Sequence, residues 1–330
     1  MTDFQEQIFH INSPAEFEHL ALQLFHFQYE NVQVYHDYAQ ALKINPQQVD
    51  SLEKIPFLPI SLFKTHKIMA NGCFEQTIFE SSGTTGMQPS KHYIADTQLY
   101  EKSFTTCFEQ FFGATENYVI LALLPSYIER GNSSLVYMVD HLIKRSQHTQ
   151  SGFYGYNFDT LKKQLETLKD RQQKTILFGV GFALLDFIEQ YSIHFPDLIV
   201  FETGGMKTRR KEISRADLHQ RLQEGFHVPV IYSEYGMTEL LSQAYSTDGN
   251  TFQCPAWMKI LLRDMQDPLS LQTDLHKKGS INVIDLANIY SCAFIATQDI
   301  GRFCNNNQFE VLGRFDNADI RGCNMLMEKL

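Results

Sequence analysis

Between residues 77 and 232 short apolar runs alternate with longer amphipathic stretches, and this alternation restricts the fold more than any other feature of the chain. Thr77 to Phe79, Tyr118 to Leu124, Thr175 to Phe178, Leu198 to Phe201 and Val230 to Tyr232 read as strands. Helical spacing of apolar residues separates them near Thr97 to Phe112, Ser134 to Lys144, Phe158 to Lys169, Phe182 to Tyr191 and Ser214 to Gln223. Runs such as VILALL carry no polar alternation, so such strands are buried on both faces. That is the signature of βαβ units in a parallel sheet covered by helices. The expectation is an α/β fold of mostly parallel sheet layers flanked by helices.

The flanks differ. Apolar and aromatic residues recur at helical spacing from Ala15 to Leu42, predicting an N-terminal helical segment. Beyond Tyr245 strands follow one another closely, at Met258 to Leu262, Ser280 to Asp285 and Cys292 to Ala296, which predicts a small, largely antiparallel subregion. The expected division is therefore an α/β body over 1–245 and a β-rich subregion over 246–330, ending in a tail that contains Cys323.

Charge and composition exclude several function classes. The 28 Lys and Arg residues against 38 Asp and Glu residues give a formal net charge of −10, which opposes a broad nucleic-acid footprint. No stretch reaches the ~20 apolar residues of a membrane-spanning helix, and MTDFQEQIFH lacks the basic and apolar regions of an export signal, so a cytoplasmic location is expected. The six cysteines include no CxxC pair, and the histidines form no HExxH, leaving no sequence signal for a zinc site. GVG at 179–181 is followed by Leu184 where a dinucleotide fingerprint needs a small residue.

Ligands of open α/β sheets bind beyond the carboxyl ends of the strands, so the residues after each strand matter most. After Phe79 comes ESSGTTGMQPSK, residues 80–91. Its glycines allow tight turning, its hydroxyls and N–H groups suit phosphate oxygens, and Lys91 closes it with a charge. A flexible linker has a similar composition. The spacing is not that of a Walker A loop, since Gln88 stands where glycine is required. YSEYGMTE, residues 232–239, offers an aromatic face in Tyr235, close backbone approach at Gly236, a hydroxyl in Thr238 and a magnesium-compatible carboxylate in Glu239. Its Thr and Glu equally suit a helix start. Asp299, in TQDIGR, and Arg314, in GRFDNADIRGC at 313–323, suit a ribose and a phosphate, or simply a turn and a surface ion pair.

These runs, in this order from residue 81 to residue 316, resemble the motifs of the adenylate-forming superfamily, which includes acyl-CoA synthetases, firefly-type luciferases and nonribosomal adenylation domains. The resemblance implies that SSGTTG, with Ser81, Ser82, Gly83, Thr84, Thr85 and Gly86, is the phosphate loop, with Lys91 supplying charge. It further implies that Glu234, Tyr235, Gly236 and Met237 surround the adenine, Thr238 meets the α-phosphate and Glu239 holds Mg2+. Asp299 would bind the ribose, Arg314 the nucleotide, and FETGG would contribute Gly204 and Gly205. ATP and Mg2+ are the implied cofactors.

Within the superfamily the chain looks most like the acyl-protein synthetase branch, the fatty-acid-activating component of bacterial luminescence fatty-acid reductase and its non-luminous relatives. LLPSY at 123–127, the PAW run around Trp257 and RGC at 321–323 carry that likeness. It implies adenylation of a carboxylic acid, fatty acids being typical, and transfer of the acyl group to Cys323 and on to a partner such as an acyl reductase. Two features depart from the superfamily. The chain ends eight residues after Gly322, without the mobile C-terminal domain and its catalytic lysine, and GRFDNADIRG is one residue shorter than the usual hinge pattern, which leaves the role of Asp316 open. The alternatives are a ligase that acylates CoA or an acyl carrier protein and, in another class, a non-catalytic nucleotide-binding or scaffolding subunit.

Overall fold

The computed structural model describes residues 2–81, 88–125, 131–204, 213–272, 274, 277–305 and 308–314. Its strands, in chain order, are β1 (Leu58–Pro59), β2 (Thr77–Glu80), β3 (Lys91–Ile94), β4 (Val119–Leu123), β5 (Gly152–Phe153), β6 (Thr175–Val180) and β7 (Ile199–Thr203). These are followed by β8 (Tyr232–Tyr235), β9 (Ala244–Ser246), β10 (Phe252–Gln253), β11 (Met258–Arg263), β12 (Gly279–Asp285), β13 (Phe294–Asn305) and β14 (Gln308–Arg314).

Among the described residues twelve strands form one sheet, ordered β11-β12-β13-β14-β10-β9-β8-β7-β6-β4-β5, with β1 beside β13; β2 and β3 form a separate hairpin. From β5 to β8 every pairing is parallel. Beyond β8, along the main path of the sheet, all pairings are antiparallel. The parallel half follows from sequence. VILAL in β4 and TILFGV in β6 are buried at every position, as strands covered on both faces must be. β11 instead alternates buried and part-exposed residues, as a strand with one solvated face does. The expected boundary after Tyr245 falls inside β9, so the two expected regions share one sheet.

Helix Thr97–Phe112 starts where the Asp96 carboxylate accepts from the N–H groups of Gln98 and Leu99, and it stops at Gly113, whose φ of +80° suits glycine. The expected N-terminal helical segment is present. It forms two helices, Pro14–Asn31 and Gln33–Ala41, parted at an extended Val32. Asn31 explains the break: its side-chain amide donates to the Phe27 carbonyl, and its own carbonyl accepts from Asn71 N. Among the described residues no helix is long and apolar enough to cross a membrane.

A buried polar hub ties the layers together. Asp285, at the end of β12, is fully buried and accepts from Leu241 N (2.7 Å), Ser242 N (3.0 Å), Ser242 Oγ (2.6 Å) and Ala287 N (3.2 Å). Ser242 Oγ in turn accepts from Trp257 Nε1 at 2.9 Å and lies 3.0 Å from Ser103 Oγ on helix Thr97–Phe112. The hub therefore holds the segment just after residues 232–239 against both a helix and the antiparallel half of the sheet. Asp285→Ala leaves four buried donors without their acceptor and is expected to lower the unfolding free energy by about 3 kcal/mol or more. Urea denaturation of the two proteins checks this; a loss below about 1 kcal/mol would show that the hub is dispensable.

Candidate functional site

The hairpin of β2 and β3 brings the first motif to the second. Its register pairs Glu80 with Lys91, and the neck beyond is closed by Ser81 N donating to Ser90 O (3.0 Å) and Ser90 N donating to Ser81 Oγ (2.8 Å). Ser82, Gly83, Thr84, Thr85 and Gly86 lie outside the described residues. On the β3 side of the neck, Ser90 stands close enough to Glu239 for its hydroxyl to favour the charged carboxylate, and His92 Nδ1 lies 2.8 Å from the Thr238 carbonyl oxygen. Asn288 completes the junction, donating to the Glu239 carbonyl (2.8 Å) while its Oδ1 stands 3.2 Å from His92 Nε2. Burial lowers the His92 imidazole to about 4, so this junction is a structural brace rather than a proton shuttle at neutral pH.

A second meeting joins β8 to β13 and β14. Asp299 and Arg314 are Cα partners across the β13–β14 ladder, and Arg314 Nε donates to Asp299 Oδ1 at 2.6 Å. Tyr235 donates its hydroxyl to Asp299 Oδ2 at 2.9 Å, and its ring meets both Phe252 and Phe309, at centroid distances of 5.8 and 5.7 Å, in a cluster of three rings. Two expectations are corrected here. The 232–239 run does not lie wholly after a strand, because Tyr232–Tyr235 is the strand; Glu234 breaks the apolar pattern that would have revealed it. Asp299 does not sit at a strand end but inside β13, where its pairing with Arg314 is a matter of register.

Because side chains alternate across a strand, Ser233 and Tyr235 project from one face of β8 and Glu234 from the other. Glu234 Oε2 accepts from the Thr203 hydroxyl at 2.6 Å, and Glu234 pairs with Tyr245 of β9. Its carboxyl folds back over Gly236: a Cβ at that glycine would come 2.1 Å from Glu234 Oε1. Burial, with a smaller push from Glu202, raises the Glu234 carboxyl to about 7, against the opposing Thr203 hydrogen bond. Glu234 is thus separated from the Tyr235–Asp299–Arg314 group, to which the nucleotide expectation had joined it.

The remaining residues are placed as follows. Lys91 opens β3 and reaches back to Glu80, 3.1 Å away. Gly204 follows β7 with φ of +70°, a conformation that favours glycine, and Gly205 lies outside the described residues. Met237 packs partly buried against the core, and its carbonyl accepts from Leu240 N. Cys323 lies outside the described residues. His92, Ser90 and Asn288 escaped the sequence reading, since a lone histidine in a strand and an asparagine in a loop carry no spacing signal.

The chemistry of the donors can be tested against magnesium. Among the described residues no cluster of three or more His, Cys, Asp or Glu side chains could hold a metal ion. Magnesium at nucleotide sites takes one or two carboxylates and fills its shell with phosphates and water. Glu239 fits that pattern: it is buried, and burial raises its pKa, so a neighbouring cation would favour its charged form.

Known proteins are similar to this chain in part of its sequence and in its fold. Residues 5–108 match the family model described as Acyl-protein synthetase, LuxE, a span that takes in the 80–91 run and ends before the other motifs. No curated protein sequence matches the chain. Solved structures share its fold at low identity. ATP-bound MatB from Rhodopseudomonas palustris has a TM-score of 0.54 at 15% identity, covering 72% of this chain and 47% of its own. McyG A-PCP complexed with phenylalanyl-adenylate has a TM-score of 0.52 at 14% identity, covering 85% and 54%. A fatty acyl-adenylate ligase from L. pneumophila, solved with acyl adenylate and pyrophosphate, has a TM-score of 0.52 at 14% identity, covering 76% and 52%. The chain spans about half the length of these proteins. The chain shares the fold of these adenylate-forming enzymes, and over residues 5–108 it is similar to the acyl-protein synthetase family, a span that does not reach the LLPSY, PAW and RGC runs.

The raised Glu234 carboxyl has a measurable consequence. The folded protein binds this proton more tightly than the unfolded chain does, so the contribution to stability is full below about pH 4.5 and is lost as pH rises through about 7. Glu234→Gln should flatten stability against pH across that window. Equal slopes for both proteins in urea titrations at successive pH values would contradict the raised value.

Proposed function

We propose that the protein adenylates a carboxylic acid with ATP and passes the acyl group to a protein thiol, as an acyl-protein synthetase does. The observation that carries this reading is the meeting of motifs far apart in sequence: Ser90 and His92 on Glu239 and Thr238, and Tyr235 with Arg314 on Asp299. A scaffold has no need of that convergence.

In the first step a carboxylate oxygen attacks the α-phosphorus of ATP, the bond to pyrophosphate breaks, and an acyl adenylate forms. Both reactants are anions, so positioning and charge neutralisation dominate the barrier. Asp299 is assigned to the ribose hydroxyls, Arg314 to the nucleotide, and the 82–86 hydroxyl and glycine residues, with Lys91, to the phosphates. Thr238 is assigned to the α-phosphate and Tyr235 to the base. Glu239 would hold Mg2+, which supplies charge neutralisation at the phosphates when bound. In the second step a thiolate attacks the acyl carbon and AMP leaves with the bonding electrons.

The acceptor assigned here is Cys323. Burial, the leading cause in each case, raises the pKa of all five described cysteines, Cys73, Cys107, Cys254, Cys292 and Cys304, so none is activated as a nucleophile. Fatty acids are the substrates that the family likeness suggests, with an acyl-accepting partner protein downstream and action in the cytoplasm.

Acid-dependent exchange of labelled pyrophosphate into ATP tests the first step, and Glu239→Ala is expected to reduce it by about 100-fold or more. Unchanged exchange would remove Glu239 from the assignment. Incubation with ATP and labelled acid should leave a hydroxylamine-labile acyl group that Cys323→Ala loses while keeping exchange. Labelling that survives in Cys323→Ala would point to another acceptor, and acylation of free CoA alone would replace this reading by a CoA ligase.

A further inference from the structure

The hydrogen bonds that join β3 to Thr238 and Glu239 determine where the hydrogen on His92 must lie. Asn288 is buried, and its Nδ2 donates to two carbonyls, those of Glu239 and Cys292, each at 2.8 Å. Both hydrogens of the amide are thereby used, so its orientation is settled and Oδ1 is the atom that faces His92 Nε2 at 3.2 Å. On the other side of the ring, Nδ1 lies 2.8 Å from the Thr238 carbonyl oxygen. His92 therefore stands between two oxygens that can only accept. Burial lowers its pKa to about 4 and keeps the ring neutral at pH 7, and a neutral imidazole carries one N–H. One of the two contacts is thus a hydrogen bond, and the other sets lone pair against lone pair. The shorter is the hydrogen bond, since 2.8 Å is well inside the N–H···O range and 3.2 Å lies at its far limit.

This assignment bears on Glu239. The Thr238 and Glu239 carbonyls belong to the two peptide groups on either side of the Glu239 α-carbon. With the first held by His92 and the second by Asn288, both backbone torsions of Glu239 are set, and with them the direction in which its carboxylate leaves the chain. Just beyond, Asp285 holds the amides of Leu241 and Ser242. His92 is the member of this set supplied by the β2–β3 hairpin, where it is 1% exposed, pairs with Phe79 and meets Phe63 edge-on at 5.6 Å. The contact between Nε2 and Asn288 Oδ1 is a local conflict in a buried network, and proteins keep such conflicts mainly where function depends on the geometry.

We propose that His92 is a positioning residue for Glu239: as the neutral Nδ1–H tautomer it donates to the Thr238 carbonyl and, with Asn288 on the next carbonyl, aims the Glu239 carboxylate from the β2–β3 hairpin. The proposal rests on the adenylation reading, in which Glu239 holds Mg2+, and names what orients that carboxylate. His92 acts through the peptide group, so its loss should appear in turnover and in the Mg2+ requirement, and much less in the KM for ATP. Two amide side chains separate the two ring nitrogens. Asparagine places its amide nitrogen near the position of Nδ1 and can donate to Thr238, whereas glutamine places its own near Nε2, toward Asn288 Oδ1.

Two measurements on the full chain test this. Nitrogen-15 histidine spectra of the ligand-free protein at pH 7, with the His92 signals identified by their loss in His92→Asn, should show a protonated Nδ1 and a bare Nε2. An Nε2–H ring or an imidazolium would overturn the proposal, and this readout needs no activity. The second is pyrophosphate exchange with whichever of a fatty, a hydroxy, an amino and an aryl acid exchanges fastest. His92→Gln and His92→Leu should lose at least about tenfold in kcat and need at least about threefold more Mg2+, while His92→Asn stays within about threefold of the unchanged protein in both. Thermal melting distinguishes lost turnover from lost folding. Equal kcat and Mg2+ requirement in folded His92→Asn and His92→Gln would overturn the positioning role and leave adenylation standing. No exchange by the unchanged protein with any of the four acids would overturn adenylation and the positioning role with it.

Discussion

The molecule is organised around one buried carboxylate. Asp285 collects two backbone amides and a hydroxyl from Leu241 and Ser242 and a further amide from Ala287, and is fully buried. Such a group is costly to bury alone and strongly placed when every lone pair has a donor. Its partners include the segment that follows Glu239, and through Ser242 it reaches Trp257 and Ser103. The parallel and antiparallel halves of the sheet are thereby locked on either side of the motif, and Asn288, three residues beyond Asp285, carries the same brace to His92 and Glu239.

That framework gives β8 two distinct roles on its two faces. On one, Tyr235, Asp299 and Arg314 form a charged and aromatic group set by strand register; on the other, Glu234 lies among groups that lack partners. Gly236 is where the faces meet, and there the missing side chain leaves room for the Glu234 carboxyl. Adenylation asks for such an arrangement, because nucleotide and acid must approach one phosphorus from different sides.

Much of this was legible in the sequence. Helix Thr97–Phe112 coincides with its apolar periodicity, and β4 and β6 stand out as uninterrupted apolar runs. What escaped depended on long-range pairing. β3 is a four-residue strand with His92 at its centre, recognisable only through its pairing with β2. β8 hid because Glu234 occupies a position that a strand pattern would give to an apolar residue. The Asp299–Arg314 pair was named residue by residue, but its adjacency comes from a β13–β14 register that includes shifts after Ile300 and Phe303. The Asp285 hub left no trace, since a lone aspartate closing an apolar strand looks like a turn residue.

Transfer of heavy oxygen tests the central claim most directly. If the carboxylate attacks the α-phosphorus, an acid labelled with heavy oxygen in its carboxyl group leaves one labelled atom in the AMP released after acyl transfer. Mass spectrometry of that AMP should show the single heavy atom, dependent on ATP and on Glu239. Unlabelled AMP, or label found in inorganic phosphate instead, would contradict adenylation at this site.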